Sequence, residues 1–367
     1  MSIAARNERG AELAAGANGD PVTLTGVTAT GVPVVDGIPF ARTGREELQA
    51  RVADLLADGQ VDRARVALLA DADDWWTEPA PPAEQLARVT EAPSLREAME
   101  LLGMGRVGDY FAHRWTDPTH LAVLALLGAH WPGDRPVVDV ACGIGTQLRE
   151  LHRRGVRDLL GLDVVWSKLW LAQRFVCPQA RYVCADLTAA PDLQVPQPAY
   201  VTCHDAFYFV RDKAAAAAAM HALAGPGGTV VVGHAHVADT VSAGEPLPPD
   251  AYAALLGATV LYDDEELTRS LLEGRPPRPS PAAELTASEA IGLVAGDLRS
   301  PAPVDLGEPL GPLEPNPLYA DGELRWPSER YAAEYGPRSG HLPARWPDPL
   351  PADAARRRLL VDLPEQW

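Results

Sequence analysis

Five apolar runs recur about every twenty residues between positions 134 and 233, and this spacing constrains the fold more than any other feature of the chain. Helix-forming segments separate most of the runs. Strands that alternate with helices predict an α/β fold with a mostly parallel sheet and helices on both of its faces. The predicted strands are 135–141, 157–163, 180–186, 198–205 and 227–234, and the clearest helices are 147–154, 165–175 and 212–223.

Polar residues end several of these runs. Asp163, Asp186, His204 and Asp205 each lie where a predicted strand stops. Ligands of open parallel sheets bind outside the carboxyl ends of the strands. We therefore expect these four side chains to face one cleft.

The flanking segments differ from this core in composition, and four units are predicted. Residues 1–95 form an accessory region with a hairpin and two helices, and residues 96–300 form the core. Residues 301–352 are rich in proline and aromatic residues, which favours an insertion that caps the cleft. Residues 353–367 supply a final strand and a tail. The individual elements predicted in these flanks are a hairpin within 22–40, helices at 45–58, 61–70, 249–256, 263–273 and 328–335, and strands at 289–295 and 356–364.

The net charge of −18 disfavours nucleic acid or an anionic membrane as a partner, because both require basic patches. The four cysteines form no CxxC pair and are expected to be reduced. The N-terminal residues lack the pattern of a secretion signal, which favours the cytoplasm. The scarcity of lysine beside abundant alanine and arginine favours a GC-rich, actinobacterial genome. A small molecule is the expected partner, and a homodimer is left open.

The first strand leads into a turn with two glycines, Gly143 and Gly145. A dinucleotide-binding turn would carry a third glycine where this chain has Leu148, and a GxxxxGK[ST] phosphate loop is absent from the sequence. Asp139 precedes the turn, and its carboxylate would oppose a pyrophosphate. The pattern favours a nucleoside without phosphates over NAD.

The segment DVACGIGT, residues 139–146, resembles the glycine-rich motif of class I S-adenosylmethionine (SAM)-dependent methyltransferases. It departs from many members at Ala141, where they carry another glycine. The resemblance implies a Rossmann-like sheet, SAM as cofactor and S-adenosylhomocysteine as its product. It also implies that four residues of this segment lie at the cofactor: Asp139, Cys142, Gly143 and Gly145.

The same resemblance assigns roles at the later strand ends. Asp163 would accept hydrogen bonds from the ribose hydroxyls, and Asp186 with Leu187 would hold the adenine. His204 and Asp205 would line the methionine end of SAM. Asp163 and Asp186 each have a plainer alternative as a helix N-cap.

Tyr110 and Arg114 lie on a segment that, in related enzymes, covers the cofactor. Their side chains would come near the methionine carboxylate of SAM. An amphipathic helix packed on the edge of the sheet is the alternative role for this segment.

Methyl transfer to oxygen or carbon also needs a base, and His234, His236 and Tyr208 are the candidates. The two histidines are two residues apart and would face the same side of an extended strand. His236 is favoured because it lies further from the body of the strand. The alternatives are polar residues that end a strand, or an ion site completed by His204 or Asp205. No metal is predicted.

These residues together predict a methyltransferase that modifies an oxygen of a small specialised metabolite. Three rivals stay open. The first is a cyclase or isomerase that keeps SAM or its demethylated product without transferring the methyl group. The others are a non-catalytic partner subunit of the same fold and an NAD-dependent reductase, which Leu148 disfavours.

Overall fold

The accessory region begins with a small antiparallel sheet followed by short helices. The computed structural model of the chain describes residues 25–133, 135–189, 193, 195–238, 244–305 and 312–367. Strands β1 to β3 are Gly26–Val27, Pro33–Val35 and Ile38–Pro39; helices α1 to α6 are Glu46–Ala57, Val61–Leu69, Ala83–Ala87, Leu95–Leu101, Gly105–His113 and Pro118–Ala129. The predicted hairpin is thus a three-stranded sheet in its described part, and residues 22–24 of that prediction lie outside the described residues.

A seven-stranded sheet forms the centre of the molecule, in the order β6-β5-β4-β7-β8-β10-β9. The first five strands in this order pair in parallel, and β10 is antiparallel to both β8 and β9. The mostly parallel α/β fold expected from the sequence is therefore confirmed. The strands β4 to β10 are Val137–Val140, Leu159–Asp163, Arg181–Cys184, Tyr200–His204, Thr229–His236, Val260–Asp263 and Ala290–Gly296.

Alternation along the strands builds two apolar cores, one on each face of the sheet. Val137 belongs to the core shared with α6, whereas its neighbour Val138 belongs to the core on the other face. Successive side chains of a strand point to opposite faces, so a strand buried on both sides is apolar throughout. The remaining helices, α7 to α12, are Thr146–Arg153, Trp166–Leu171, Lys213–Ala224, Pro249–Leu256, Asp264–Glu273 and Glu329–Tyr335.

The accessory region covers one edge of the central sheet. Phe40 forms a parallel bridge with Cys184 on the edge strand β6, and the amide of Ala41 donates to the carbonyl of Cys184 at 2.8 Å. An open sheet edge invites pairing with other chains, and this contact blocks it. The accessory region is therefore joined to the sheet beside the end of β6.

The C-terminal segment forms a separate small cluster around Leu318, Leu342 and Leu359. Its last strand, Leu360–Val361, pairs with Glu314–Pro315 and is much shorter than the predicted 356–364. The strand β9 was not predicted, because its four residues directly precede a helical pattern and are too few to show a period of their own. Within the described residues, no helix is long and apolar enough to cross a bilayer.

Candidate functional site

The glycine-rich turn follows β4 and closes tightly against its neighbours. Gly143 and Gly145 both have positive φ, 55° and 78°. A Cβ on Gly143 would lie 3.1 Å from the ring of Phe111, and one on Gly145 would lie 3.0 Å from the hydroxyl of Tyr182. Other residues rarely adopt such φ values, so glycine is required both for the conformation and for the close approach of α5.

Asp163, at the end of β5, is held by the backbone of this turn. Its Oδ2 accepts from the amide of Gly143 at 3.0 Å and its Oδ1 from the amide of Val165 at 2.9 Å. The structure therefore joins the predicted ribose acid to the predicted cofactor turn. Asp139 lies behind the turn, fully buried, and its Oδ1 accepts from the hydroxyl of Thr202 at 2.8 Å. Burial raises the pKa of Asp139 to about 7.

Asp186, at the end of β6, is bound by the accessory region. Its Oδ2 accepts from both the amide and the hydroxyl of Thr43, at 2.8 and 2.6 Å. The loop that follows α2 is tied to the same segment, because Arg42 forms ion pairs with Asp71 and Asp74. The accessory region thus reaches the residue predicted to hold the adenine, a contact that the sequence did not indicate.

A cavity of about 160 Å³ lies between this region and the core. Val165, two residues after the ribose acid, lines it together with Ser167 and Lys168, and α5 contributes Val107. Trp76 from the accessory region forms part of the opposite wall.

A second group of polar side chains surrounds Asp205, directly after β7. Tyr110 and Tyr208 each donate a phenolic hydrogen bond to its carboxylate at 2.7 Å. The guanidinium of Arg114 lies 3.7 Å from Asp205 and donates to Asp117 at 3.1 Å. Four of the predicted site residues therefore meet here, and Arg114 is already paired within the protein.

His234 borders this group from β8. Its Nδ1 lies 2.5 Å from Oδ2 of Asp264, the first residue of α11, and its Nε2 lies 3.9 Å from Asp205. His234 is buried and adopts a positive φ of 49°. His236 packs its ring against His234 and Tyr208, with centroids 4.9 and 4.7 Å apart.

The charges around the two histidines shift their pKa values in opposite directions. Burial alone would lower the pKa of His234, but the carboxylates of Asp205 and Asp264 outweigh it and raise that pKa. Burial and the neighbouring His234 lower the pKa of His236. Burial would raise the pKa of Asp205, yet His234, Arg114 and the two phenols lower it. The acid therefore stays ionised beside His234.

His204 does not join this group by a hydrogen bond. Both of its ring nitrogens are buried without a partner among the described residues, and its ring lies against Gly233 of β8. Burial and the charge of Arg114 lower its pKa to about 3, so the ring is neutral. The four strand-end residues, which were expected to face one cleft, therefore lie in four different environments: Asp163 in the turn, Asp186 at Thr43, Asp205 among Tyr110, Tyr208 and Arg114, and His204 buried against Gly233.

The ion-site alternative can be compared with the same geometry. Among the described residues, one atom each of Asp205, His234 and His236 lie within 4.8 Å of one another. Arg114 already supplies a positive charge beside Asp205, and the Asp264 carboxylate pairs with His234. The charge of Arg114 disfavours a cation at this cluster, whereas a carboxylate on the far nitrogen of His234 is also found behind metal-ligating histidines.

The Pro-rich C-terminal segment covers this side of the site. The ring of Tyr335 on α12 stacks over Tyr110, with centroids 6.4 Å apart, and Tyr331 lies 4.4 Å from Tyr335. Burial raises the pKa of Tyr335 well above its usual range. The predicted helix at 328–335 is present, and sequence reasoning did not assign Tyr335 to the site.

Comparison with known proteins identifies the central segment. A family model for a methyltransferase domain matches residues 137–228, from the first strand of the sheet to the start of β8. The strand order and the glycine-rich turn agree with that match. This segment is a class I SAM-dependent methyltransferase domain, and SAM is its cofactor. No curated protein matches the chain.

Three solved structures illustrate how far the likeness extends. A SAM-dependent methyltransferase from Mesorhizobium loti is 28% identical over 31% of this chain and 52% of its own, with a TM-score of 0.27. The amino pentose methyltransferase CalS10 from Micromonospora echinaspora is 30% identical over 33% and 52%, also with a TM-score of 0.27. A complex of the Trm112 methyltransferase activator with a methyltransferase from Haloferax volcanii gives 18% identity, 56% and 99% coverage, and a TM-score of 0.40. The chain thus spans about half the length of the first two proteins.

Proposed function

We propose that the whole chain is a SAM-dependent methyltransferase that modifies an oxygen of a small-molecule acceptor. The observation that carries this proposal is the cluster at the ends of β7 and β8. There, Asp205 is held by Tyr110, Tyr208 and Arg114, and His234 lies beside it. Such a cluster offers both hydrogen-bonding groups and a base next to the methyltransferase domain's cofactor turn.

The chemistry requires little beyond alignment and removal of one proton. The sulfonium of SAM already activates the methyl group, so the bond from sulfur to carbon breaks as the acceptor oxygen forms its bond to that carbon. A hydroxyl acceptor must lose its hydrogen as a proton, which a histidine of the pair His234 and His236 accepts. The hydroxyl of Tyr208 donates a hydrogen bond to Asp205 and holds that carboxylate in place.

The charge of the cluster supports an uncharged or cationic acceptor. Asp117, Asp205 and Asp264 are buried or nearly so, and Arg114 supplies one opposing charge. A buried excess of negative charge repels an anionic ligand. The aromatic cover from Tyr335 supports a compact, partly apolar acceptor.

The proposed setting is the cytoplasm. All four cysteines are free and buried, which fits a reducing compartment. The net charge of −18 fits an enzyme whose partners are small molecules instead of nucleic acid or membranes.

Transfer of a labelled methyl group tests the proposal. The chain is incubated with trideuteromethyl SAM and a panel of neutral and amine-bearing hydroxy compounds, and the products are weighed by mass spectrometry. We expect one acceptor to gain one trideuteromethyl group in place of a hydrogen. A rearranged product of unchanged formula would support the cyclase alternative. Failure of SAM or S-adenosylhomocysteine to bind in calorimetry would support a non-catalytic subunit.

A further inference from the structure

We infer that His234, oriented by Asp264, is the base that removes the acceptor's proton, and that Asp264 is a positioning residue supplied from outside the matched methyltransferase domain. This inference deepens the proposed function and rests on it. Both residues follow position 228, where the family match ends. The sequence alone favours His236, so the geometry selects a different histidine.

The contact between His234 and Asp264 fixes which nitrogen can act as the base. Oδ2 of Asp264 lies 2.5 Å from Nδ1 of His234. The neutral imidazole therefore keeps its proton on Nδ1 and carries its lone pair on Nε2. The distance of 3.9 Å from Nε2 to Asp205 is too long for a hydrogen bond. Nε2 has no hydrogen-bond partner among the described residues and can receive a proton from an acceptor hydroxyl.

Asp264 is itself placed by the start of α11. Asp263 caps this helix by accepting from the amides of Glu265 and Glu266, at 2.8 and 3.2 Å. Asp263 also lies on β9, the strand next to β10, so the helix start is fixed to the sheet. A carboxylate held in this way orients the imidazole and stabilises the imidazolium that forms during transfer.

His236 lacks a comparable arrangement. Its Nδ1 is buried and has no partner among the described residues, and its ring is held only by packing against His234 and Tyr208. Among the described residues, no carboxylate forms a hydrogen bond with its ring, and Asp205, Glu289 and Asp264 favour its charged form only from a distance. The difference between the two histidines is the presence of a carboxylate on the far nitrogen.

The proton transfer balances within the cluster. The acceptor's O–H bond breaks toward Nε2 of His234, its electron pair forms the new bond to the methyl carbon, and the sulfur keeps the electrons of the broken bond. His234 becomes a cation between Asp205 and Asp264 and returns its proton to water. The other groups that face it are Arg114, His204 and His236, and none of these is an anion.

Histidine NMR tests the inference without a known acceptor. Two-dimensional nitrogen–proton spectra of the full chain are recorded from pH 5 to 9, and His234 is assigned with His234→Gln. We expect neutral His234 to carry its proton on Nδ1 and to titrate above the ordinary value of about 6.5. Asp264→Asn should move that titration to lower pH and reduce the Nδ1–H form. Asp250→Asn changes an exposed aspartate in the first turn of another helix and should change neither.

Three results would overturn the inference. One is a neutral His234 with its proton on Nε2, and another is a titration that Asp264→Asn leaves in place. The third is stoichiometric binding of Mn²⁺ that broadens the NMR signals of His234 and His236, since the lone pair on Nε2 of His234 would then bind an ion instead of a proton. If Asp264→Asn does not give the spectrum of a folded protein, Asp264→Glu is measured as well. This variant should return the titration of His234 to its raised pH if the carboxylate positions the ring.

With an acceptor from the methylation panel, kinetics give a second test. His234→Gln should lower kcat about 100-fold or more, because general bases contribute roughly 10² to 10⁴ in rate. Asp264→Asn should lower kcat at least tenfold with little change in the acceptor's KM and should shift the pH profile to lower pH. His236→Gln should cost less than His234→Gln. The reverse order for the two histidines would contradict the inference.

Discussion

The proposed cofactor side of the site, around Gly143 and Asp163, and its proposed acceptor side, around Asp205 and His234, are built in different ways. The cofactor side joins the turn at Gly143 to Asp163, twenty residues later on the neighbouring strand. The acceptor side brings together Tyr110, Asp205 and Asp264, the first and last of which are more than 150 residues apart in the sequence. Backbone amides do most of the binding on the first side, and side chains do it on the second.

This difference predicts which parts of the site tolerate amino-acid substitutions. A turn held by backbone groups tolerates few substitutions, since glycine conformations and a buried acid define it. A cluster of side chains from separate segments can change one residue at a time and so adapt to a new acceptor. Substitutions on the two sides are therefore expected to separate cofactor binding from acceptor handling.

The largest expected effect is that of Asp163→Asn on the cofactor side. The amide cannot accept from Gly143 and Val165 with both of its atoms, so the turn and the ribose contact are both weakened. We expect the affinity for S-adenosylhomocysteine in calorimetry to fall about 100-fold, roughly 2.7 kcal/mol. Asp250→Asn serves as the exposed control. An affinity within threefold of that of the unsubstituted protein would mean that Asp163 does not contribute to cofactor binding.

The next effect concerns Asp139, the buried acid behind the turn. Burial raises its folded pKa to about 7, above the unfolded value of 3.8. Its favourable contribution to stability is therefore complete below the unfolded value and is lost as the pH rises through the folded one. We expect Asp139→Asn, which cannot ionise, to raise the free energy of unfolding by roughly 2 kcal/mol at pH 8. Urea unfolding should show this gain shrink toward pH 4, and a gain independent of pH would contradict the assignment.

On the acceptor side, Tyr335→Ala removes the ring that covers Tyr110. Loss of this wall should raise the acceptor's KM about tenfold, roughly 1.4 kcal/mol, and leave the affinity for S-adenosylhomocysteine within threefold. Tyr319→Ala is the matched control, because Tyr319 belongs to the same C-terminal segment but packs on Trp346. Equal effects of the two substitutions would mean that the segment acts on the site only through overall stability.

The smallest effect is expected at the contact between the accessory region and the cofactor side. Thr43→Val removes the hydroxyl that donates to Asp186 and keeps the shape of the side chain. We expect an approximately fivefold loss of affinity for S-adenosylhomocysteine, about 1 kcal/mol, measured by calorimetry. Thr259→Val, at an exposed position, should have no effect. A loss as large as that of Asp163→Asn would make the accessory region an equal partner in cofactor binding.

The sequence predicted the fold because the fold depends on short-range patterns, and patterns of the same kind led to the residues proposed for the cofactor side. The five strands were recognised from apolar runs, and the turn was recognised from glycines next to a strand. Asp163 could be found because it ends the strand after the turn. The short strand β9 was missed, since four residues carry no usable period.

The acceptor side was predicted only in part. His234 was named as a candidate base at the end of a recognised strand, whereas the resemblance named Tyr110 and Asp205 for the methionine end of SAM. Tyr335 was included only as an aromatic residue of the segment expected to cap the cleft. Asp264 was missed, since nothing local distinguishes an acid that a distant segment brings into contact. The local signal for Asp264 is an acid at the start of a predicted helix, and this is equally typical of helix capping.

Methyl transfer measured beside cofactor affinity in His234→Gln tests the central claim most directly. Trideuteromethyl SAM and the acceptor found in the panel report the rate, and calorimetry with S-adenosylhomocysteine reports the affinity. We expect a rate about 100-fold lower with an affinity within threefold of that of the unsubstituted protein. An unchanged rate, or a rate that falls only as far as the affinity falls, would contradict it.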